Sequence, residues 1–365
     1  MFRFDFGGKG DNGEEKNTNV QFQYLGRCRS HTNCIVSMIF KDEKLITVGY
    51  DRYMVEYDLS SVEYKGEQSM LFPSREPSRL EQTARPVDSV LHPTITSKSN
   101  EEFLLTITDQ QKLRLFNLKT RLARKTTLAP LCGYKIESIK VVQKGNLLAF
   151  SAGTKIGLIQ LPADGNPWRQ TAILAHPSGV ERIAVSHCGN YLFSLASSTE
   201  KHGCLQCWEI SSSALQAQLE LCPEGIEPFI ALMEDGRTGG KFNCLKTYFY
   251  YASLLDQGIQ TSAPRVIKDS LPLKFLPDIL RACGYYPSEK EVEEMSNEVL
   301  FWKYGIGEVD EVQAEITLED VVKLYVNYQH VHENGRMVDQ EEELINAIDM
   351  LETDQTKDIQ NVFKV

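Results

Sequence analysis

The sequence predicts a multidomain β + α protein, with short antiparallel strands in the first two thirds of the chain and helices after them. Apolar segments separated by turn residues repeat from Val20 onward, as in consecutive β-sheet units. Beyond Phe242 the apolar residues recur at helical spacing. The chain has 365 residues, which is enough for two or three domains that each bury a core. We therefore divide it into residues 1–19, 20–240, 241–330 and 331–365.

The first segment, residues 1–19, is rich in Gly, Lys, Asp, Asn and Glu, and we interpret it as a flexible N-terminal lead-in. Its run of glycines around Lys9 suggests a phosphate loop. However, no buried strand precedes the run, and no Ser or Thr follows Lys9. Residues 235–241 also carry Gly and Lys, but at the wrong spacing, so an exit loop from the strand region explains them better.

Four strand units are predicted in residues 20–240, and each closes on a short strand that follows a turn. The closing strands are Tyr53 to Asp58, Leu113 to Asn117, Ile156 to Leu161 and Leu205 to Glu209. Their spacing is close to the period of WD repeats, apart from an insertion between the first two that suits a surface loop. The units resemble degenerate, partial WD40-like β-propeller blades. About four blades imply an incomplete propeller, because most WD40 propellers are larger.

The resemblance to WD40 blades implies one set of structural residues. In that family a His, a Ser or Thr, an Asp in the tight turn and an aromatic residue form a buried hydrogen-bonded set within one blade. The matching residues of the first unit are His31, Thr47, Asp51 and Tyr57. The second and third units lack the His and the aromatic-Asp ending, so the match there depends mainly on the regular spacing of the predicted strands.

The helical part is clearest between Leu271 and Val299. Pro272 suits the first position of one amphipathic helix, and Gly284 ends it. Ser288 and Glu291 then form a capping box at the start of a second helix. This pattern resembles the segment that joins paired EF-hands in calmodulin-like proteins, and it implies an EF-hand-like helical domain over 241–330. Residues 331–365 resemble an acidic helical tail, a truncated third hand with a helix at about 339–351.

The predicted EF-hand loops lack the oxygen ligands that calcium requires. If Leu271 and Ile316 occupy the apolar eighth positions, Phe275 falls on the twelfth position of the first loop and Val309 on the first position of the second. We therefore predict no metal and no cofactor, and interpret Asp310, Glu311 and Asp320 as degenerate remnants of a calcium loop. A pair without metal can still present an apolar groove to a partner helix. The candidate groove residues are Leu276, Ile279, Leu280, Val292 and Met295, and the alternative is that they only pack the helices together.

The net charge, the length of the apolar runs and the cysteine content of the chain argue against several classes of function. The formal net charge of −11 argues against nucleic-acid binding, because no basic excess is available to neutralise phosphates. No apolar run is long enough to span a bilayer, so no membrane partner is predicted. Nine cysteines in strand-like and helix-like segments fit reduced thiols. The pair Cys204 and Cys207 resembles half of a zinc site, but no second such pair exists and strand geometry points the two side chains to opposite faces.

The combination of degenerate WD40 blades with a calmodulin-like pair resembles the WD-repeat family of the calmodulin- and spoke-associated complex of motile cilia. Leu273 to Val299 and Ile316 to Val326 carry most of the resemblance. It implies a non-enzymatic scaffold at the base of a radial spoke, in the cytoplasmic cytoskeleton of the ciliary or flagellar axoneme, that supports ciliary and sperm motility. The implied partners are proteins of that complex, calmodulin, radial spoke proteins and axonemal doublet proteins.

Two other classes of function remain open at this point. One is a calcium-responsive EF-hand regulatory protein with a WD40 interaction platform, which would have to bind the metal itself. The other is an enzyme, but the sequence contains no Ser/His/Asp motif, metal-ligand cluster or dinucleotide fingerprint.

Overall fold

The structure is a computed structural model, and it describes residues 2–4, 22–24, 28–60, 74–92, 102–142, 146–197, 204–211, 213–258, 264–304 and 314–329. The chain forms two compact units, Met1–Pro86 and Val87–Val365. Most of the predicted lead-in and the whole predicted tail, 331–365, lie outside the described residues. Within the described residues, no helix is both long and apolar enough to cross a membrane.

The first unit contains a four-stranded antiparallel sheet, in which neighbouring strands follow one another along the chain. Its strands are β3 (Ile35–Lys41), β4 (Lys44–Gly49), β5 (Tyr53–Asp58) and β6 (Ser78–Arg79). A separate pair joins β1 (Phe2–Phe4) to β2 (Phe22–Tyr24). Each strand of the four-stranded sheet pairs with the next along the chain, which is the meander of a propeller blade.

The second unit contains three further meanders. One sheet consists of β7 (Pro86–His92), β8 (Phe103–Thr108), β9 (Lys112–Asn117) and β10 (Ala123–Leu128). The next consists of β11 (Ile136–Val142), β12 (Leu147–Ala152), β13 (Lys155–Gln160) and β14 (Gln170–Leu174). The last has three described strands, β15 (Val180–Val185), β16 (Tyr191–Ala196) and β17 (Leu205–Glu209).

The consecutive sheets of the second unit pack face against face. Side chains of β8 and β9, such as Ile107, share a core with Phe150 of the following sheet, and Ala149 of that sheet shares another core with Ile183 of β15. Asp88 of β7 also crosses between sheets, since its Oδ2 accepts hydrogen bonds from the backbone N–H of Ile139 (3.0 Å) and from the Ser138 hydroxyl (3.0 Å). Each sheet of the second unit therefore packs against the sheet that follows it in the chain.

The helical region follows β17 along the chain. Its α-helices are α1 (Ser213–Glu220), α2 (Glu227–Ile230), α3 (Gly240–Asp256), α4 (Leu276–Ala282), α5 (Glu289–Val299) and α6 (Leu318–Tyr328). A π-helical turn, Leu300–Tyr304, extends α5. The short strands β18 (Ser270–Pro272) and β19 (Glu315–Thr317) pair between the helices. One large core unites α2 to α6.

Strand positions and helix caps agree closely with the sequence predictions. The closing strands at 53–58 and 205–209 have the predicted bounds, and the other two differ by one residue. The capping boxes Ser288–Glu291 and Thr317–Asp320 are both present, and Gly284 adopts a φ of 84° just beyond α4, where only a glycine is unstrained. The succession of blade-like sheets and a helical region is therefore confirmed.

Two local predictions differ from the structure. The sequence predicts Pro272 at the first position of a helix, but Pro272 ends β18 and is the N-cap of a 3₁₀ turn, Leu273–Phe275. This turn leads into α4, whose first turn contains Pro277. Helices also begin earlier than expected. The last strand of the blade-like sheets ends at Glu209, and α1 starts at Ser213, inside the segment predicted to hold only blades. This stretch has few β-branched residues, which disfavours a strand.

Candidate functional site at the junction of the second sheet and the helical region

The outer strand of the second sheet, β10, carries the helical region on its free edge. An edge strand presents alternate N–H and C=O groups that have no partner within its own sheet. In β10 these groups lie at residues 124, 126 and 128. Side chains from three parts of the helical region bond them, so helices cover this edge in place of a fifth strand.

Each of the three edge groups has a different partner. The Trp302 indole N–H donates to the carbonyl of Arg124 at 2.7 Å. The backbone N–H of Thr126 donates to the Glu298 carboxylate at 3.1 Å, and that of Leu128 donates to the Asn327 side-chain oxygen at 3.0 Å. These partners lie on the π-turn, α5 and α6 respectively. Every second residue of β10 from 124 to 128 therefore has its outward backbone group bonded by a different part of the helical region.

Charged side chains of the neighbouring strand β9 strengthen the same junction. The buried ammonium of Lys112 donates to the carbonyl of Asn327 at 2.6 Å and also to that of Gln329, at the C-terminal end of α6. A cation is favourable there because the last carbonyls of a helix carry partial negative charge. Arg114 forms an ion pair with Glu294 of α5. The second sheet thus holds both α5 and α6.

Burial shifts the proton affinities of two junction groups. Burial raises the pKa of Glu298 to about 7, although Lys125 and the Thr126 N–H oppose the rise. The Tyr328 hydroxyl also donates to Glu298, at 3.2 Å. Burial likewise lowers the pKa of Lys112 to about 7. The junction therefore holds an acid and a base that both titrate near neutrality, far from their ordinary ranges.

A cleft of about 350 Å³ opens beside these contacts, between β10 and the helices α5 and α6. Three lysines and three carboxylates line it together with Trp302, over whose ring the Lys125 ammonium lies 5.2 Å from the centroid. The lining residues are Lys125, Asp164, Glu298, Val299, Trp302, Lys303, Asp320, Lys323, Leu324 and Asn327. Its wall therefore combines charged groups of both signs with a larger apolar surface.

Asn327 links three parts of this junction. Besides accepting from Leu128, its side-chain N–H donates to the carbonyl of Asp164 at 3.1 Å, so it also links to the loop after β13. Gly165 permits this approach. A Cβ added there would lie 2.0 Å from the Asn327 oxygen, and the Gly165 φ of 84° already disfavours any other residue.

We expect Asn327→Ala to lower the free energy of unfolding by roughly 2 kcal/mol, because it leaves the buried Leu128 N–H without its acceptor. Chemical denaturation followed by tryptophan fluorescence measures the change, since Trp302 lies in the same junction. Glu319→Ala, on the exposed side of α6, is the control and should change stability by less than about 0.5 kcal/mol. Equal effects of the two variants would contradict the role of Asn327.

The structure brings three of the four predicted blade residues together. His31 lies between Asp51 (Nδ1 to Oδ1, 3.1 Å) and Thr47 (Nε2 to Oγ1, 2.8 Å). Its bond, together with the backbone N–H groups of Thr32 and Tyr53, lowers the pKa of Asp51 against the opposing effect of burial. The hydroxyl of Tyr57 bonds to Ser30 instead. Tyr57 therefore joins the first sheet to a residue that the sequence pattern did not include.

The last sheet contains a similar set that the sequence pattern did not reveal. The buried hydroxyl of Ser194 bonds to the Nε2 of His176 (2.9 Å) and accepts the indole N–H of Trp208 (2.9 Å). His176 and Trp208 lie near the two ends of the fourth predicted unit, but Ser194 has no part in the predicted blade set. The signal was present, because Ser194 lies on the strand before Trp208, as Thr47 lies on the strand before Tyr57.

Ser194→Ala should destabilise the last sheet by about 1–3 kcal/mol. The substitution removes the hydrogen-bond partner of the buried His176 ring and of the half-buried Trp208 indole N–H. The increase in amide hydrogen exchange should be largest in β16 and β17. Ser211→Ala, at an exposed position just beyond β17, provides the comparison and should leave exchange in both strands unchanged. If the two variants behave alike, the Ser194 network does not stabilise the sheet.

The predicted groove residues are mostly inside the helical core. Leu276, Ile279, Leu280 and Met295 are at most 2% exposed, and Val292 is half-buried. The four buried side chains pack against the chain's own residues, including those of α3 and α6. This burial fits the interpretation that they pack the helices together, and it leaves no open groove at the four buried positions.

The predicted calcium-loop remnants are only partly described. Asp310 and Glu311 lie outside the described residues. Asp320 accepts hydrogen bonds from the Thr317 N–H and the Lys303 ammonium, both at 2.9 Å. Burial alone would raise the pKa of Asp320, but these bonds together lower it. Its carboxylate thus caps α6. Among the described residues, no group of three or more His, Cys, Asp or Glu side chains is placed to hold a metal ion.

Comparison with known proteins connects this helical region to a family. Residues 241–364 match the family model described as the CFAP251 C-terminal domain. Over most of its length the chain is similar to proteins named cilia- and flagella-associated protein 251. It is 35% identical to the Mus musculus protein of that name over 327 residues, which are 86% of this chain and 24% of the relative. The similarity predicted from the sequence is therefore confirmed, and it extends well beyond the matched domain.

Two further relatives show the same extent of similarity. The Pongo abelii protein named cilia- and flagella-associated protein 251 is 34% identical over 321 residues, 84% of this chain and 27% of the relative. The protein of the same name from Tetrahymena thermophila is 29% identical over 351 residues, 87% of this chain and 34% of the relative. The chain thus spans between about a quarter and a third of the length of these curated relatives.

Proposed function

We propose that the chain acts as a non-enzymatic scaffold in motile cilia and flagella, and that it is located in the axoneme. The observation that carries this proposal is the similarity of 84–87% of the chain to proteins named for cilia and flagella. More specifically, we propose that it belongs to the calmodulin- and spoke-associated complex at the base of a radial spoke. Its partners would then be proteins of that complex, calmodulin, radial spoke proteins and proteins of the doublet microtubules.

The junction at β10 supports a scaffolding role. The second sheet and the helical region are joined through buried side-chain contacts to backbone groups, so a partner bound to one is held in a defined position relative to the other. A scaffold requires this property more than it requires a reaction centre. Loss of such a scaffold would impair ciliary and sperm motility.

Location in intact axonemes tests the proposal. The tagged full chain, expressed in ciliated cells in place of the endogenous protein, should be found at the spoke base by electron tomography and should co-purify with radial spoke proteins and calmodulin. The same tag on an unrelated cytoplasmic protein controls for non-specific retention. Uniform distribution through the cell body, with no tag in demembranated axonemes, would refute the ciliary role.

We also propose that the helical region is an EF-hand-like pair. The pairing of Leu271 with Ile316 in β18 and β19 supports this, because the sequence placed these two residues at equivalent positions of the two loops. Each lies between two helices, α3 and α4 for Leu271 and α5 and α6 for Ile316. Paired loops of this kind also favour the second candidate function, a calcium-responsive regulatory protein.

Titration of the full chain with calcium separates these two functions. With Asp320 committed to capping α6, we expect no binding heat at micromolar calcium, and a calcium effect would then enter through bound calmodulin. Calmodulin itself is the positive control for the calorimeter. Stoichiometric binding with a dissociation constant in the micromolar range would instead establish a calcium-responsive regulator.

A further inference from the structure

Helix α3 carries an exposed apolar stripe that the core does not use. Tyr248, Tyr251 and Leu255 are 37%, 55% and 36% exposed. At about 100° per residue they fall within a sector of about 60° on the helix, while Leu245, Phe249 and Ala252 face the core. Two tyrosines and a leucine at this spacing form a surface that suits a second helix. We call Tyr248, Tyr251 and Leu255 the α3 stripe.

The sequence predicts an amphipathic helix of matching character elsewhere in the same chain. Residues 339–351 carry Leu344, Ile348 and Leu351 at spacings of four and three, which predicts one apolar side. The segment also carries five acidic residues, of which three are consecutive glutamates at 341–343. These residues lie outside the described part of the chain. An amphipathic helix of this length needs a packing partner to be stable in water.

The linker between α6 and residues 339–351 is long enough for that segment to reach the α3 stripe. The described chain ends at Gln329, just after α6, and α6 packs against α3. Residues 330–338 can span up to about 30 Å when extended, which is comparable with the diameter of a small domain. The family match also runs from residue 241 to residue 364, so one family domain includes both α3 and the acidic segment.

Charge favours the same arrangement. Lys241 lies about two turns before the α3 stripe, near the end of α4. Lys268 and Lys274 lie beside the C-terminal end of α3, where both form ion pairs with Asp256. The two lysines exceed the one carboxylate that they share, so an acidic segment would meet a net positive charge at this end of α3. We propose that residues 339–351 dock as a helix on the α3 stripe of the same chain and cover Tyr248, Tyr251 and Leu255.

Hydrogen exchange on the full chain tests this docking. Amides of residues 339–351 should exchange at least about tenfold more slowly than unstructured peptides do. Tyr251→Lys should abolish that protection and leave the protection of α5 unchanged. Ile348→Asp, made from the opposite side, should have the same effect. Leu221→Lys, at a residue 75% exposed and outside the stripe, should change nothing. Unprotected amides at 339–351 in the unmodified chain, or unchanged protection in Tyr251→Lys, would overturn the proposal.

A photo-crosslinker placed at position 251 identifies the occupant directly. The expected product is a crosslink within one chain to a peptide from residues 339–351. A crosslink between two chains would overturn the proposal in favour of a second copy. A crosslink to added calcium-loaded calmodulin, with none to 339–351, would overturn it in favour of a separate partner.

Discussion

Leu280→Asp is expected to unfold the helical region, with a loss of about 4 kcal/mol or more in the free energy of unfolding. Leu280 is fully buried in α4, inside the core that unites α2 to α6. A carboxylate there has no cation within the apolar core and leaves a void where the leucine packed. Thermal denaturation should show an earlier transition for the helical region, and the strands of the first unit should keep their hydrogen-exchange protection.

Ala282→Asp is the matched control for this variant. It places the same side chain on the same helix, at an exposed position. We expect a loss of no more than about 1.5 kcal/mol, because an aspartate at the last position of α4 lowers helix propensity and lies near the partial negative charge of the last carbonyls. If Leu280→Asp were no more destabilising than Ala282→Asp, the burial of the predicted groove residues would be incorrect and an open groove would again be the better interpretation.

The second large effect is a pH dependence that originates at Glu298. Burial raises the pKa of this carboxyl from its ordinary value of 4.5 to about 7 in the folded chain. Its contribution to stability is therefore full below about pH 4.5 and is lost as the pH rises through 7. With a slope near 1.4 kcal/mol per pH unit, the loss amounts to roughly 3 kcal/mol.

Glu298→Gln isolates this contribution from the other titrating groups of the chain. The amide keeps an acceptor for the Thr126 N–H but carries no proton equilibrium. The difference in unfolding free energy between the two proteins should therefore change by roughly 3 kcal/mol between about pH 4.5 and pH 8, with the unmodified chain relatively weaker at high pH. The groups that face Glu298 are Lys125 of β10, Arg114 of β9 and Tyr328 of α6.

One control variant and one other titrating group of the junction are relevant to this prediction. Glu293→Gln, at an exposed position of the same helix, should show no such change with pH. Lys112 has its pKa lowered to about 7, so its own contribution to stability rises as the pH increases from 7 towards its ordinary value of 10.5. Both proteins contain Lys112, so its contribution cancels in the difference between them. A constant difference between Glu298→Gln and the unmodified chain across this pH range would contradict a buried, shifted carboxyl.

Local features of the fold were predictable from the sequence because their causes are local. The strand at 53–58 follows from its run of β-branched and aromatic residues after a turn, and α5 follows from the capping box at Ser288 and the apolar spacing behind it. The equivalence of Leu271 and Ile316 was likewise visible, since each lies in a short apolar segment before a helix. The structure pairs them directly.

The junction could not be predicted in the same way, because its partners are far apart in the chain. Thr126 and Glu298 are separated by 172 positions, and Leu128 and Asn327 by 199. A glutamate on a strongly acidic helix is ordinarily a solvated residue, and nothing in the local pattern of α5 distinguishes Glu298 from Glu293. Only the free edge of β10 gives Glu298 its role, and that edge exists only once the second sheet has formed.

Amide exchange at Thr126 and Leu128 tests most directly whether the helical region is fixed on the edge of the second sheet. Both N–H groups point away from β9 and donate to side chains of α5 and α6. We expect protection at these two amides comparable to that of the interior strand β9, with loss at Leu128 in Asn327→Ala. Exchange at the rate of an unpaired edge amide in the unmodified chain would show that the helices do not cover β10.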